Sequence, residues 1–211
     1  MADAGTMACG PYWRAEMESF VIERDTPDTR AIYDAAVTHA QTVFSRCFGA
    51  SVRQTPPRFA VTLADDGQIV CAAGIRIASD GFFSQCYLDR PIEAVLSAGS
   101  GLPVAATDVL EVGALATSSP FPVFPTLRAI FDWGRAHDID WGLFTATATV
   151  RRLIRRSGIQ AELLHPARAA RVARPSDWGR YYENDPWVCA FHDDAGLPRL
   201  AARPVPRKET A

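Results

Sequence analysis

The sequence has no paired-cysteine motif: Cys9, Cys47, Cys71, Cys86 and Cys189 stand apart, with no CxxC among them. Such a set argues against a disulfide framework and reads as free thiols in a reducing cytoplasm. The four histidines, His39, His137, His165 and His192, also lack ligand spacing, so no metal site is expected. Long hydrophobic runs are missing, and nothing approaches the roughly 18 apolar residues of a membrane helix. Where a secretion signal needs an apolar core, the N-terminus carries Trp13, Arg14, Glu16 and Glu18, and no signal peptide is expected. Excess charge is absent as well. A formal net charge of −2 gives no general pull toward nucleic acid or an anionic membrane. There are no internal repeats and no domain linker.

The 211 residues suit one α/β domain, expected over 16–195, with loose segments at 1–15 and 196–211. Hydrophobic residues make up 48% of the chain, enough for a real core. Alternation predicts a strand over 17–23, and Thr26-Pro27 reads as a capped helix start. The apolar residues Ile32, Ala36, Ala40, Val43, Phe44, Cys47 and Phe48 form the face of that helix, which Gly49 ends. Strands over 58–63 and 68–77 flank an Asp-Gly turn, a hairpin signal. After the aromatic run 82–88, Asp89 can cap a helix whose first turn holds Pro91. Residues 108–159 read as strand, proline-rich turn, helix opening at Pro125, strand (140–146) and short helix (149–157). Two strands joined by a crossover helix are expected to be parallel. A strand over 160–164, a short helix over 166–174, a polar-aromatic loop and a strand over 187–191 follow.

Several residues stand out, each with a plainer alternative. Glu111 is one acid inside the apolar strand DVLEVGALAT, costly there unless it is paired or used. It can bind or deprotonate an amine, or it can sit at a strand edge or pair with a structural arginine. Tyr87, Asp89 and Glu93 can shape an acceptor pocket, or serve as core, cap and solvated acid. Arg151, Arg152, Arg155 and Arg156 form two ridges on one helix side, suited to phosphates or to solvent. Ser118 and Ser119, with the amides after Pro120 and Pro122, can form an anion site at a helix start or a simple capping turn. Phe121, Phe124, Phe131 and Trp133 can line an acyl tunnel or pack a core. Cys86 and Cys189 have no histidine nearby in sequence and read as structural thiols.

The element order resembles that of the GNAT acyltransferases and the related acyl-homoserine-lactone synthases. In the segment 147–159, Thr147 stands where that pattern has an Asn, Ile154 where it has a Tyr, and Gly158-Ile159 at its closing pair. The pattern's glycine-bearing pyrophosphate loop is replaced by Ser118-Ser119-Pro120-Phe121-Pro122-Val123-Phe124-Pro125, which has no glycine and three prolines without N–H groups. A narrower resemblance, over about 17–192, is to the thermostable hemolysin family. It rests on Gln85-Cys86-Tyr87-Leu88-Asp89-Arg90-Pro91-Ile92-Glu93, Glu111-Val112-Gly113-Ala114-Leu115-Ala116, Phe144-Thr145-Ala146-Thr147 and Trp178-Gly179-Arg180-Tyr181-Tyr182.

The resemblance implies an α/β (α+β) fold with a mixed central sheet, helices on both faces and splayed central strands. It also implies an acyltransferase with no tightly bound cofactor, taking acyl-CoA or acyl carrier protein as co-substrate and a small-molecule amine as acceptor. An aminoacyl-tRNA is a further possible donor, and the oligomeric state stays open. Glu111 would then act on the amine, and Tyr181 or Tyr182 would supply the proton that Ile154 cannot. Tyr87, Asp89, Glu93, Phe144, Thr145 and Thr147 would bind substrate. Ser118, Ser119, Arg151 and Arg152 would hold donor phosphates, and N–H groups near Leu115 to Thr117 would polarise the carbonyl. Two alternatives stand beside this reading: a cytolytic protein of the family's namesake type, and a non-catalytic binding module.

Overall fold

The computed structural model describes residues 17–193. The segments expected to be loose, 1–15 and 196–211, lie outside them. The fold is a mixed α/β arrangement around one seven-stranded sheet. The strands are β1 (Glu18–Glu23), β2 (Arg58–Leu63), β3 (Ile69–Ile77), β4 (Val109–Thr117), β5 (Trp141–Ala146), β6 (Glu162–Pro166) and β7 (Trp187–His192). Their spatial order is β1-β2-β3-β4-β5-β7-β6. Every neighbouring pair is antiparallel except β4 and β5, which run parallel, as the crossover between them requires. The helices are α1 (Arg30–Phe48), α2 (Ile92–Ser100), α3 (Val123–Arg135) and α4 (Ala148–Arg156).

Strand alternation sorts the side chains between two faces. On one face α3 and α4 cover Ala60, Cys71, Ala73, Leu110 and Phe144. On the other, α1 covers Phe59, Val61, Ala72 and Ala116, while α2 covers Val109, Leu143 and Val188. The mixed sheet with helices on both faces is therefore present. Its central strands also splay: β4 and β5 pair only from Val109 with Trp141 to Val112 with Phe144. The cause lies within β4. Against β3, Gly113 opposes Gly74 and Ala116 opposes Ala72, so three steps on β4 match two on β3. This is a bulge, and Ala114 occupies it at φ 49°. A bulge bends its strand and raises the local twist, which swings the end of β4 away from β5.

Local chemistry accounts for where the elements differ from expectation. Thr26 makes no side-chain cap, and Pro27 opens a 3-10 turn (Pro27–Thr29), so α1 begins only at Arg30. At its other end Gly49 adopts φ 68°, the left-handed geometry that terminates a helix. The run 82–88 folds as a 3-10 turn (Phe83–Tyr87). Asp89 does not cap α2; Pro91 holds that position and leaves no side-chain cap. Helix α3 starts at Val123, before Pro125. Pro125 is tolerated in the first turn because N–H groups there have no intrahelical partner. No helix forms over 166–174, only the 3-10 turn Ala169–Arg171. Pro175 bars the preceding Arg174 from helical geometry, and Pro166 closes β6.

The aromatic loop after this turn docks on the end of α1. The Arg180 N–H donates to the carbonyl of Phe48 at 2.8 Å, and the Ser51 N–H donates to that of Asp177 at 2.6 Å. A Cβ at Gly179 would lie 2.2 Å from the Phe48 carbonyl oxygen, so only glycine permits this approach.

Candidate functional site

The splay opens a cavity of about 250 Å³. Ala114 and Leu115 have no register partner on β3 or β5, and Thr145 and Ala146 pair only with β7. All four line the cavity. Toward α3 the wall is apolar, with Leu127, Ile130, Phe131 and Ile154. Toward α1 it is aromatic and charged, with Phe48, Arg53, Arg76, Arg174, Asp177 and Trp178. Asp177 holds Arg53 at 3.5 Å and Arg174 at 3.6 Å across this end.

Glu111 lies in the wall at 3% exposure. Neither a strand edge nor a structural arginine accounts for it. Its Oε2 accepts the Phe83 N–H at 2.6 Å, and its Oε1 accepts the Ser84 N–H at 2.8 Å and the Ser84 hydroxyl at 2.5 Å. The carboxylate thus takes the free amides that open the 3-10 turn Phe83–Tyr87, where no side-chain cap is present. Burial pushes its pKa up; the bonds from Ser84 and Phe83, and the charge of Arg76 directly opposite on β3, counteract without reversing that shift. Arg76 itself donates to the carbonyl of Thr55 at 3.4 Å.

Thr145 continues the polar chain, with its Oγ1 2.7 Å from Ser84 Oγ. Tyr181 is buried against Phe44 and Phe48, and its hydroxyl donates to the Thr145 carbonyl at 3.3 Å. Burial raises its pKa, so it stays protonated at neutral pH. The hydroxyls of Tyr87 and Tyr182 lie 2.8 Å apart, and burial raises both. Thr147 caps α4, accepting from the Val150 N–H at 3.5 Å. Burial pushes the thiol of Cys86 up to about 11 and that of Cys189 up to about 12, so neither is a ready thiolate nucleophile.

The residues singled out from the sequence divide cleanly. Tyr87, Glu111, Phe144, Thr145, Thr147 and Tyr181 border the cavity. Tyr182 stands behind Tyr87. Asp89 is exposed and paired with Arg171; it does not cap α2 and is not among the residues that line this cavity. Glu93 lies in the first turn of α2, away from the cavity. Ser118 and Ser119 are exposed, and Ser119 closes a small turn with Thr117. The start of α3 offers few amides: Val123 donates to Pro120 at 3.3 Å, Phe124 donates to Phe121 at 3.4 Å, and Pro125 has no N–H. Arg151 is committed to the fold, donating to the carbonyl of Ala146 at 3.0 Å and to the Asp185 carboxylate at 2.6 Å. Arg152 is exposed and bonds Thr149 at 3.0 Å. Of the stretch 115–117, only Leu115 lines the cavity; the positions without a register partner on β3 or β5 are Ala114 and Leu115. Of the aromatics proposed for a tunnel, Phe131 lines the cavity, whereas Phe121 is 69% exposed.

Sequence reasoning missed Ser84, Arg76 and Trp178. Nothing local marks Ser84. Arg76 becomes visible once the β3–β4 register sets it against Glu111. Among the described residues no cluster of His, Cys, Asp or Glu is able to hold a metal ion.

Comparison with known proteins bears on this geometry. A family model described as "Thermostable hemolysin" matches residues 26–197. The fold is similar to that of the AHL synthase LasI, with a TM-score of 0.59 at 13% identity over 88% of this chain and 93% of that one. It is similar to TofI in an apo form, with a TM-score of 0.60 at 15% identity over 83% and 91%. It is also similar to FeeM, an N-acyl amino acid synthase from uncultured soil microbes, with a TM-score of 0.53 at 13% identity over 85% and 92%. No curated protein sequence matches the chain.

Proposed function

The chain belongs to the thermostable hemolysin family, and from that premise we propose that it is an acyltransferase moving an acyl group from a thioester to an amine. The observation that supports this most is a buried carboxylate, Glu111, near two β4 positions, Ala114 and Leu115, that have no register partner in one splayed gap. The thioester lies along the gap with its acyl chain against Leu127, Ile130 and Phe131. The amine enters from the side of Tyr87 and Trp178. Glu111 is the ultimate base. The N–H groups at Ala114 and Leu115 polarise the carbonyl oxygen. Tyr181 serves the departing thiolate in place of Tyr182, because it borders the cavity and keeps its proton. The fold likeness to AHL synthases and to an N-acyl amino acid synthase agrees with this chemistry.

The donor is acyl-CoA or an acyl carrier protein, used as a co-substrate. Such donors, and described cysteines that are all free, fit a reducing cytoplasm. No helix among the described residues is long and apolar enough to cross a membrane. The test is Glu111→Gln, assayed for acyl transfer over a panel of thioesters and amines. The expected result is a loss of about 10²- to 10⁴-fold in kcat/KM. Unchanged turnover removes Glu111 from the mechanism.

A further inference from the structure

We propose that Thr145 and Ser84 form a proton relay that carries the acceptor amine's proton to Glu111, a step that rests on the acyl-transfer reading above. Ser84 Oγ stands 2.5 Å from Glu111 Oε1 and 2.7 Å from Thr145 Oγ1. Ser84 is fully buried, whereas Thr145 borders the cavity. The direction of the chain follows from the donor inventory. A serine hydroxyl has one proton. Given to the carboxylate, it leaves only lone pairs for Thr145, so Thr145 must donate to Ser84. The lone pairs of Thr145 Oγ1 are then free to accept an N–H from the cavity.

Glu111 is poorly placed to act alone. Both of its oxygens already accept from the 3-10 turn, three bonds in all. The hydroxyl of Ser84 is the one member of that set whose proton can move. Two other groups interact electrostatically with this site, Arg76 from β3 and Cys86 from the same turn. Arg76 favours the carboxylate, and Cys86 stays a thiol at neutral pH, so neither competes as the base.

The step balances as follows. The amine lone pair forms the C–N bond at the thioester carbonyl, and the C=O π pair moves to oxygen. The nitrogen's proton passes to Thr145 Oγ1, the Thr145 proton passes to Ser84 Oγ, and the Ser84 proton passes to Glu111 Oε1. Collapse of the tetrahedral intermediate breaks the C–S bond, and the thiolate leaves with that electron pair and takes the Tyr181 proton. Glu111, now neutral in its buried site, returns its proton along the same path to water after product leaves, and Tyr181 recovers a proton from solvent.

The experiment uses the full chain in two arms. In the first, Ser84→Ala and Thr145→Val each lower kcat about 10- to 100-fold with donor KM nearly unchanged, and Thr145→Ser restores most of the loss. Wild-type kcat in Thr145→Val overturns the relay. The second arm needs no substrate. The protonated-carboxyl infrared band of Glu111, assigned by its absence in Glu111→Gln, is titrated against pH. Thr145→Val shifts that titration when Ser84 is present and leaves it unmoved in Ser84→Ala. Equal shifts in both backgrounds, or none in either, overturn the relay even where acyl transfer is observed. Absence of acyl transfer by the wild-type protein overturns the functional reading, and the infrared arm alone then decides whether the three side chains share a proton path.

Discussion

Glu111 is held by backbone N–H groups and a serine, 3% exposed, with a cation opposite that forms no close ion pair with it. Burial dominates its titration and raises its pKa above the ordinary carboxylate value. The folded protein therefore holds this proton more tightly than the unfolded chain does. Its contribution to stability is complete below the unfolded pKa and is lost as pH rises through the folded one. Lowering the pH from about 8 to about 5 should raise the melting temperature of the wild type relative to Glu111→Gln, as read by circular dichroism. Catalysis runs the opposite way: kcat/KM should rise with pH through that same titration, since the carboxylate is the base. A lone acid in an apolar strand marked Glu111 in the sequence. Its partner Ser84 lies in another element, 27 residues earlier, with no periodicity to expose it. Asp89 shows the converse error. A good local capping signal lost to a tertiary pairing with Arg171.

The bulge in β4 opens the site, yet EVGALA reads as one uninterrupted strand. Gly113 is the only local hint, and the extra step becomes visible only against β3. Strands and helices with clear periods were legible for the same reason that they fold: alternation and helical spacing each give a continuous buried face. The 3-10 turns lack such a face, so nothing in 82–88 announces the turn there, and 166–174 reads as a short helix. Deleting Ala114 should restore regular alternation along β4, extend its pairing with β5 and close the gap. The far-ultraviolet spectrum should stay near wild type while acyl transfer is lost. Arg151 tests another element-level claim, since it ties the end of β5 to the loop before β7. Arg151→Ala should cost about 1–3 kcal/mol in denaturant unfolding with donor KM unchanged, whereas Arg152→Ala should alter neither stability nor donor KM.

Across the whole molecule, the donor end of the cleft differs from a phosphate-binding design. The opening turn of α3 spends its N–H groups on its own carbonyls or lacks them at proline, and Arg151 is occupied. Acyl-pantetheine and acyl-CoA should therefore give KM values within about threefold of each other, because the phosphates add little binding energy. A KM at least tenfold lower for acyl-CoA would reveal a phosphate contact elsewhere. The sheet order carries a further consequence. β7, the last described strand, lies between β5 and β6, and Phe191 from it lines the cavity. During biosynthesis the ribosome must deliver residues 187–192 before either neighbour has its partner. Until then β5 presents an open hydrogen-bonding edge and β6 has no strand to pair with, so this side of the sheet is the last to close.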